Sequence, residues 1–365
     1  MKTANINELI SRLKSADDAY YNSSEPIISD EEYDFLKDSL KQIDPENKYL
    51  LSIGAKARDS DWQKAAHHIP MTSLNKVNTE DELKKWARET GSQTFAVEEK
   101  LDGLSVNLEY EDSKLVRAIT RGDGEVGDDI FENVRLMKGF SKTINGFTGS
   151  IRGEIILTNT NFEKLCKIQE FKNPRNAAVG IAKRFDHQYS EFLNVVCYDI
   201  ESSDVEFETE KDKIDFLDKN GSRSVSSKFC TLDEAIKIYS EYIESKRADL
   251  DYDIDGLVIK INDIDEQRSL GLLGGNPKGQ IAFKFPPMIK TAKVTDVEWQ
   301  LGRSGKITPI IHIEQTKMGG TTISKMTCHN VDIFKKLKLY KGCNLRFKKA
   351  NDVIPIPIEV VSENE

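Results

Sequence analysis

Seven runs of β-branched and aromatic residues lie between Phe95 and Phe285, and most of them alternate apolar with polar side chains. Successive side chains of a strand point to opposite faces of its sheet, so each run has an apolar and a polar face. In FAVEEK this alternation places Glu98 and Lys100 together, opposite Val97. The pattern predicts antiparallel sheets with one face in a core. The runs are FAVEE, SVNLEY, KLVRAITRG, SIRGEIIL, NVVCYDIE, GLVIKIN and IAFKF.

Solitary charges lie on the polar faces of three further strands. Lys260 lies opposite the apolar side chains of GLVIKIN, Lys284 opposite those of IAFKF, and Arg152 with Glu154 opposite those of SIRGEIIL. Charges in such positions commonly face solvent. The alternative is that they converge on a phosphate, where cations stabilise developing charge and depress the pKa of a nearby nucleophile.

Helices precede these strands, and more strands follow them. The first 60 residues have helical periodicity, with Asn5 and Glu8 as one capping pair and Ser29 and Glu32 as another. The segment TLDEAIKIYSEYIESKR predicts a helix within the strand-rich part, and Thr231 is its cap. After Pro287 the strands are sufficient for a small β-barrel. We therefore expect an α+β chain with a helical module at 1–66, a mixed domain at 67–291 and a barrel at 292–365.

Composition bounds the class of protein. The 365 residues are 38% hydrophobic and 31% charged, and no apolar run approaches the length of a membrane span. The N-terminus has no signal-peptide pattern, so we expect a cytoplasmic protein. The five cysteines form no CxxC pair and the five histidines show no metal spacing, so we expect no zinc site. The net charge of −9 requires any nucleic-acid binding to use local basic surface.

One such surface lies between Asp332 and Asp352, where the chain has no acidic residue. A basic run of this kind is either a solvated face or a phosphate-binding surface. Its seven basic residues are Lys335, Lys336, Lys338, Lys341, Arg346, Lys348 and Lys349.

Lys100 is the candidate nucleophile, because it ends a strand and begins the tetrapeptide KLDG. An amine attacks only after its proton is removed, which neighbouring cations and desolvation favour. KLDG by itself is a weak signal. Arg121 beside the turn GDG and Arg175 after a proline are further candidates for phosphate binding, or belong to an ordinary turn and helix start.

Ten stretches together resemble the bacterial-type NAD-dependent DNA ligases along nearly the whole chain. Several of them carry the candidates above, and they occur in the order typical of that family. They are YYNSSEPIISDEEYD, HHIPMTSLNKV, VEEKLDGLSV, AITRGDGEVGDDIFENVR, IRGEIIL, NPRNAAVGIAK, DIDGLVIKIN, IAFKFP, WQLGRSGKITPI and KKANDVIP.

The resemblance implies a helical module that binds nicotinamide mononucleotide (NMN), an adenylation domain and an OB-type barrel. It implies that Lys100 carries AMP, with NAD and Mg²⁺ as cofactors and nicked duplex DNA as partner. On the adenosine side it implies Ser73, Leu74 and Glu98 beside adenine, Tyr198 stacked on the base, and Glu154 at the ribose. Around the phosphates it implies Asp102, Arg121, Arg175, Asp255, Lys260 and Lys284, with Asp102, Glu154 and Asp255 near Mg²⁺. The implied NMN site consists of Tyr20, Tyr21, Asp30, Tyr33 and Asp34.

The sequence also departs from the family pattern. Lys183 occupies a position where the family commonly has arginine, and the segment KKAND occupies the position of a more usual RAGD. Both changes retain the positive charge but lose the bidentate fork of arginine. A chain that ends at Glu365 is expected to lack the family's zinc, helix-hairpin-helix and BRCT modules. We expect a monomer. Two alternatives stay open: an ATP-dependent or capping-type nucleotidyltransferase, and a nick-binding protein without turnover.

Overall fold

The computed structural model divides the chain into two compact units, one including Phe35–Phe285 and the other including Pro286–Glu365. The predicted domain boundaries at residues 66 and 291 stay predictions. Among the described residues, no helix is both long and apolar enough to cross a membrane. The structure describes residues 2–22, 33, 36, 37, 39, 40, 43, 44, 47, 49, 62–301, 307–318, 321–328, 331–350 and 354–361.

The described N-terminal residues are dominated by helix α1. This helix spans Lys2–Asn22 and so begins one turn before Asn5, which the sequence suggested as its cap. Leu13 and Ala16 are buried on one of its faces, and Asp17 accepts a 2.5 Å hydrogen bond from the Tyr49 hydroxyl. The second predicted helix start, at Ser29 and Glu32, lies outside the described residues.

Between Trp62 and Phe285, where every residue is described, the first unit has thirteen strands and eight further α-helices. The helix Leu232–Glu241 begins after Thr231, whose side chain forms the predicted capping box with that of Glu234. It continues into a π-helical turn, Tyr242–Lys246. The elements are β1 Lys64–Ala66, β2 Asn75–Val77, α2 Glu80–Thr90, β3 Phe95–Leu101, β4 Leu104–Glu111, β5 Lys114–Thr120, β6 Val126–Asp128, α3 Phe131–Val134, β7 Gly149–Ile156, α4 Asn159–Leu165, α5 Pro174–Ala182, β8 Asn194–Ser202, α6 Glu210–Lys219, β9 Ser227–Cys230, α7 Leu232–Glu241, α8 Arg247–Asp249, β10 Ile254–Ile261, α9 Ile264–Leu270, β11 Leu272–Leu273, β12 Asn276–Pro277 and β13 Gln280–Lys284.

Two sheets organise this unit. One has the strand order β2-β13-β10-β3-β9, and the other β5-β4-β7-β8. Each has an apolar face in a hydrophobic core, because alternate side chains such as Val97 and Leu257 in the first, and Leu108 and Ile151 in the second, are buried together. The predicted assignment of strand faces is confirmed. The polar faces of the two sheets meet where Lys260 of β10 donates a 2.9 Å hydrogen bond to the backbone carbonyl of Tyr198 in β8.

The second unit is a five-stranded antiparallel sheet with one helix among its described residues. The strand order is β16-β15-β14-β17-β18, and Val294, Ile311, Leu345 and Phe347 are buried in its core. The long β14 pairs with β15 along one part of its length and with β17 along another, as is typical of a strand in a barrel wall. The elements are β14 Ile289–Leu301, β15 Ile307–Met318, β16 Thr321–Thr327, α10 Val331–Leu337, β17 Asn344–Ala350 and β18 Ile354–Val361.

Candidate active site

Lys100 lies at one end of the polar face of the first sheet. Lys100 of β3 pairs with Gly256 of β10, and Gly256 pairs on its other side with Lys284 of β13. The two lysines therefore flank a position that has no side chain. A Cβ on Gly256 would lie 2.5 Å from the carbonyl oxygen of Phe283. Only glycine lets the three strands approach in this way.

Asp255 joins the two lysines. It is the extra residue of a β-bulge, since Ile254 and Gly256 pair with the adjacent residues Leu101 and Lys100. Lys100 Nζ lies 3.0 Å from Asp255 Oδ1, and Lys284 Nζ lies 3.5 Å from Asp255 Oδ2. Burial acts to raise the pKa of Asp255, but the two ammonium groups hold it below its ordinary value.

The turn after Lys100 contains Asp102 and Gly103, and it contacts both Arg175 and the strand that carries Glu154. Arg175, in the first turn of α5, donates a hydrogen bond to Asp102. A Cβ on Gly103 would lie 2.2 Å from the carbonyl oxygen of Ile155, so the glycine of KLDG lets this turn contact the strand that carries Glu154.

Glu154 lies on β7 and faces the same region as Lys100. Its Oε2 accepts a 2.8 Å hydrogen bond from the Ser105 hydroxyl. Burial raises the pKa of the Glu154 carboxyl to about 7, against the opposing effects of that hydrogen bond and of the cations Arg175, Lys100 and Arg121. A carboxyl with this pKa exchanges its proton near neutral pH.

A second cluster lies further along the same polar face, around Glu98 and Lys260. Lys260 pairs with Ala96, four residues along β10 from Gly256, which is about 13 Å at strand spacing. Its ammonium lies 2.9 Å from Glu98 Oε2 and 3.2 Å from Glu210 Oε2. The structure therefore places Lys260 with the adenine-side candidate Glu98 and apart from the ion pairs of Asp255, whereas the resemblance had grouped it with the phosphates.

Burial dominates the electrostatics of this cluster. It raises the pKa of Glu98 to about 7, with the nearby Glu210 adding to the effect and Lys260 opposing it. Burial also acts to lower the pKa of Lys260, but the carboxylates of Glu210 and Glu98 raise it above the ordinary value. Glu98 Oε1 is buried and accepts no hydrogen bond from the residues that the structure describes.

The remaining candidates for the adenine side lie on neighbouring segments. Tyr198 is the extra residue of a bulge in β8, because Asp199 and Cys197 pair with consecutive residues of β7. Burial raises the pKa of its hydroxyl. Ser73 Oγ accepts a 3.4 Å hydrogen bond from Arg121 Nη1, and Leu74 immediately precedes β2.

The candidates at NMN are described only in part. Tyr20 and Tyr21 are in the last turn of α1, and Tyr33 is half-buried. Asp30 and Asp34 lie outside the described residues. Their assignment to NMN stays a prediction.

No group of three or more histidine, cysteine, aspartate or glutamate side chains in the described ranges could hold a metal ion. The three carboxylates expected near Mg²⁺ have other partners, since Asp102 is paired with Arg175, Asp255 with the two lysines, and Glu154 with Ser105. The residues present do not fit a metal site made of protein ligands alone.

Sequence reasoning missed a set of buried charges around Lys260. Glu210 begins α6, and its Oε1 accepts a 2.8 Å hydrogen bond from Gln267. Lys213 lies one turn further on, within 2.6 Å of Asp199. The i, i+3 spacing of Glu210 and Lys213 was visible in the sequence, but nothing there indicated that this helix face is buried.

In the second unit, the basic run extends from α10 through the connecting turn, which carries Lys338 and Lys341, to β17. Lys335 and Lys336 are exposed on α10. Arg346 Nη1 lies 2.8 Å from Glu359 Oε1, and Lys341 Nζ lies 3.8 Å from Asp296 Oδ1, so part of the positive charge is offset.

A lysine near the end of a strand, in an ion pair with a carboxylate and close to a second lysine, is a candidate amine nucleophile for nucleotidyl transfer. Family models match three consecutive parts of the chain: a DNA ligase-like N-terminal NAD⁺-binding domain at residues 1–53, the NAD-dependent DNA ligase adenylation domain at 59–288 and the NAD-dependent DNA ligase OB-fold domain at 291–365. The chain belongs to the NAD-dependent DNA ligase family.

The chain is also similar to curated proteins named DNA ligase. A DNA ligase of Sorangium cellulosum is 35% identical over 99% of this chain and 57% of its own length. One of Treponema denticola is 36% identical over 100% and 58%. One of Bacillus subtilis is 35% identical over 94% and 54%. The chain thus spans a little over half the length of these relatives.

Proposed function

We propose that this chain seals nicks in duplex DNA with NAD as the source of AMP. The observation that carries this proposal is the ion pair of Lys100 with Asp255, whose carboxylate also lies 3.5 Å from Lys284. The reaction requires a nucleophile that carries AMP, cations for the phosphates and a recognition site for adenine. The candidates for the first two, Lys100 and Lys284, lie within one cluster of contacts around Asp255.

The base of NAD would lie between the sheets, beside Glu98 and Tyr198. Glu98 Oε1 is a buried acceptor without a donor among the described residues, and the 6-amino group of adenine is a donor of the required kind. Tyr198 would supply an aromatic ring from β8 of the other sheet, and Ser73 and Leu74 would border the base. Lys260 acts through Glu98 in this proposal and belongs to the adenine side.

The ribose and phosphates would lie between Glu154 and Lys100. Glu154 would accept a hydrogen bond from the ribose hydroxyls. The neutral amine of Lys100 forms a bond to the adenylyl phosphorus while the pyrophosphate P–O bond breaks, and NMN leaves with the bridging oxygen. Lys284, Arg121 and Arg175 would neutralise charge on the phosphate oxygens, with Asp102 orienting Arg175.

The next two steps transfer the adenylate and close the nick. The 5′-phosphate of the nick displaces Lys100 and takes AMP, which regenerates the amine. The 3′-hydroxyl then attacks the same 5′-phosphate, and AMP leaves as the phosphodiester bond forms. The barrel would bind DNA phosphates through its basic run, and such binding weakens steeply with salt.

The NMN half of NAD would contact the helical module, with Tyr20, Tyr21, Asp30, Tyr33 and Asp34 as its site. Mg²⁺ would be held mainly by phosphate oxygens and water, as is common for this ion, because the carboxylates have other partners. We further infer that the protein acts as a monomer in the cytoplasm, where NAD and DNA are both present.

Covalent labelling tests the assignment of Lys100. The unaltered chain incubated with NAD gains the mass of one AMP, and Lys100→Ala does not; Lys114→Ala, at an exposed strand end, is the matched control. An AMP adduct on the Lys100→Ala protein would contradict the assignment. Labelling by ATP and not by NAD would favour the ATP-dependent or capping-type alternative.

Nick sealing is tested separately on a duplex with one 5′-phosphorylated nick. We expect the unaltered chain with NAD to convert the nicked strand to full length on a denaturing gel. Adenylation and DNA binding without a sealed product would favour a nick-binding protein without turnover.

A further inference from the structure

Glu99 is a buried carboxyl group on the apolar face of β3, directly before the proposed nucleophile. It is 5% exposed and pairs across the sheet with Leu257, whose side chain lies in the hydrophobic core. Strand alternation places its side chain on the face opposite Lys100, so it points away from the pocket. Burying such a group is costly unless its oxygens accept hydrogen bonds, so the partners of Glu99 indicate what it does.

Both carboxyl oxygens of Glu99 accept hydrogen bonds from tyrosines. The Tyr242 hydroxyl donates to Oε1 at 2.7 Å, and the Tyr252 hydroxyl donates to Oε2 at 2.5 Å. Burial, together with the bond to Glu99, raises the pKa of both hydroxyls, so they keep the protons that they donate. Each oxygen therefore has its own donor, as buried polar atoms generally require.

The two tyrosines belong to two segments that follow each other along the chain. Tyr242 begins the π-helical turn after α7. Tyr252 lies two residues before β10, in the segment that leads into the bulge at Asp255. Arg223 covers the Tyr252 ring, with its guanidinium carbon 5.5 Å from the ring centroid. Glu99 thus joins β3 to both segments from the side of the sheet that faces away from the pocket.

Two backbone hydrogen bonds join the bulge to the strands of the two candidate lysines. The Asp102 amide, two residues after Lys100, donates to the Asp253 carbonyl at 3.1 Å. The Phe285 amide donates to the Asp255 carbonyl, also at 3.1 Å. The extra residue of a bulge lies outside the regular ladder of the strand, so its direction depends on how the preceding segment is held.

We propose that Glu99 is a positioning residue for the transfer of AMP to Lys100. By binding the Tyr252 hydroxyl it holds the segment that carries the Asp255 carboxylate, and this carboxylate holds the attacking amine. The inference rests on the proposed function. Without Glu99 the Tyr252 ring loses its anchor, and the 3.0 Å contact between Lys100 Nζ and Asp255 Oδ1 loosens. An amine held less accurately in its line of attack reacts more slowly, while the contacts that bind NAD stay in place.

Adenylation measured in a single turnover separates positioning from binding. Glu99→Leu has a similar volume and suits an apolar face, so the fold tolerates the loss of the buried carboxyl group. At saturating NAD we expect it to form the Lys100 adduct about tenfold more slowly than the unaltered chain, with the half-saturating NAD concentration within about twofold. Glu99→Gln should restore the rate to within about threefold, because its amide can bond both hydroxyls. An unchanged rate in Glu99→Leu, or no recovery in Glu99→Gln, would overturn the proposal.

Removal of the tyrosine hydroxyl tests whether Glu99 acts through Tyr252. Tyr252→Phe should slow adduct formation to a similar extent, and the double variant with Glu99→Leu should be within about twofold of the slower single variant, because both changes remove the same contact. Tyr110→Phe is the matched control, since it removes a buried hydroxyl that donates to the Ser141 carbonyl at 2.6 Å, and it should leave the rate unchanged. Single effects that multiply in the double variant would contradict this route of action.

Amide hydrogen exchange followed by NMR tests the structural step without any nucleotide. In Glu99→Leu and Tyr252→Phe the amides of Asp102 and Phe285, which donate to the bulge segment, should exchange about tenfold faster than in the unaltered chain, and the amides of β4 should not change. Unchanged exchange at both amides would refute the positioning role. Faster exchange, in a protein whose unaltered chain forms no adduct with NAD, would contradict the proposed function and leave the positioning of Asp255 supported.

Discussion

Replacing Glu154 by glutamine tests how burial controls the pocket, because the substitution retains the shape and the hydrogen bond from Ser105. Burial raises the pKa of this carboxyl from 4.5 to about 7. Below pH 4.5 the group is protonated in both the folded and the unfolded chain and has no effect. Between pH 4.5 and 7 the unfolded chain ionises while the folded chain keeps the proton, so ionisation favours unfolding.

The size of this effect follows from the two pKa values. Their difference corresponds to about 3 kcal/mol of unfolding free energy that the unaltered chain loses between pH 4.5 and 7. Glutamine does not ionise. The unfolding free energy of Glu154→Gln minus that of the unaltered chain is therefore expected to rise by about 3 kcal/mol across this interval and to stay constant above it.

Urea denaturation at several pH values, followed by tryptophan fluorescence, measures this difference. Both proteins carry the substitution Trp299→Phe, which removes the tryptophan of the second unit. The fluorescence then comes from Trp62 and Trp86, which lie in the unit that contains Glu154. Groups such as Glu98 titrate in both proteins and cancel in the difference. A difference that is flat from pH 4.5 to 8 would refute the reasoning that burial sets the pKa of Glu154.

Three further outcomes are expected. Gly103→Ala should destabilise the first unit by about 3 kcal/mol or more in thermal unfolding, because the new Cβ would lie 2.2 Å from a backbone carbonyl; an unchanged midpoint would contradict the close approach of this turn to β7. Thr231→Ala should cost about 1 kcal/mol in urea denaturation by removing a helix cap, while no loss would show the cap to be dispensable. Lys335→Ala with Lys336→Ala should reduce the slope of log affinity for DNA against log salt by about 2, and an unchanged slope would place α10 away from the DNA.

The sequence predicted the faces of the strands and the main helix cap. In β3 and β10 the alternation that begins at Phe95 and Leu257 places apolar side chains in the core and Glu98 and Lys260 opposite them, as the structure has it. Such predictions succeed because side-chain direction in a strand depends only on the local backbone. The capping box at Thr231 is local for the same reason.

The bulges could not be predicted in this way. Asp255 and Tyr198 are each the extra residue of a bulge, and an extra residue breaks the alternation from which faces are read. The resemblance to a family indicated that both residues matter. It did not indicate that a local change in strand register turns the Asp255 carboxylate toward Lys100 and Lys284.

The amino-acid sequence alone determined which residues alternate, where a helix is capped, and that Lys100 lies near the end of a strand before a glycine-containing turn, because all of these depend on neighbours within a few positions. The tertiary structure decided the partners of the buried charges. Lys260 meets Glu98 and Glu210, which lie 162 and 50 positions away, and the strength of these contacts depends on exclusion of water by the whole fold. Burial and long-range pairing are properties of the assembled unit, so no local pattern could reveal them.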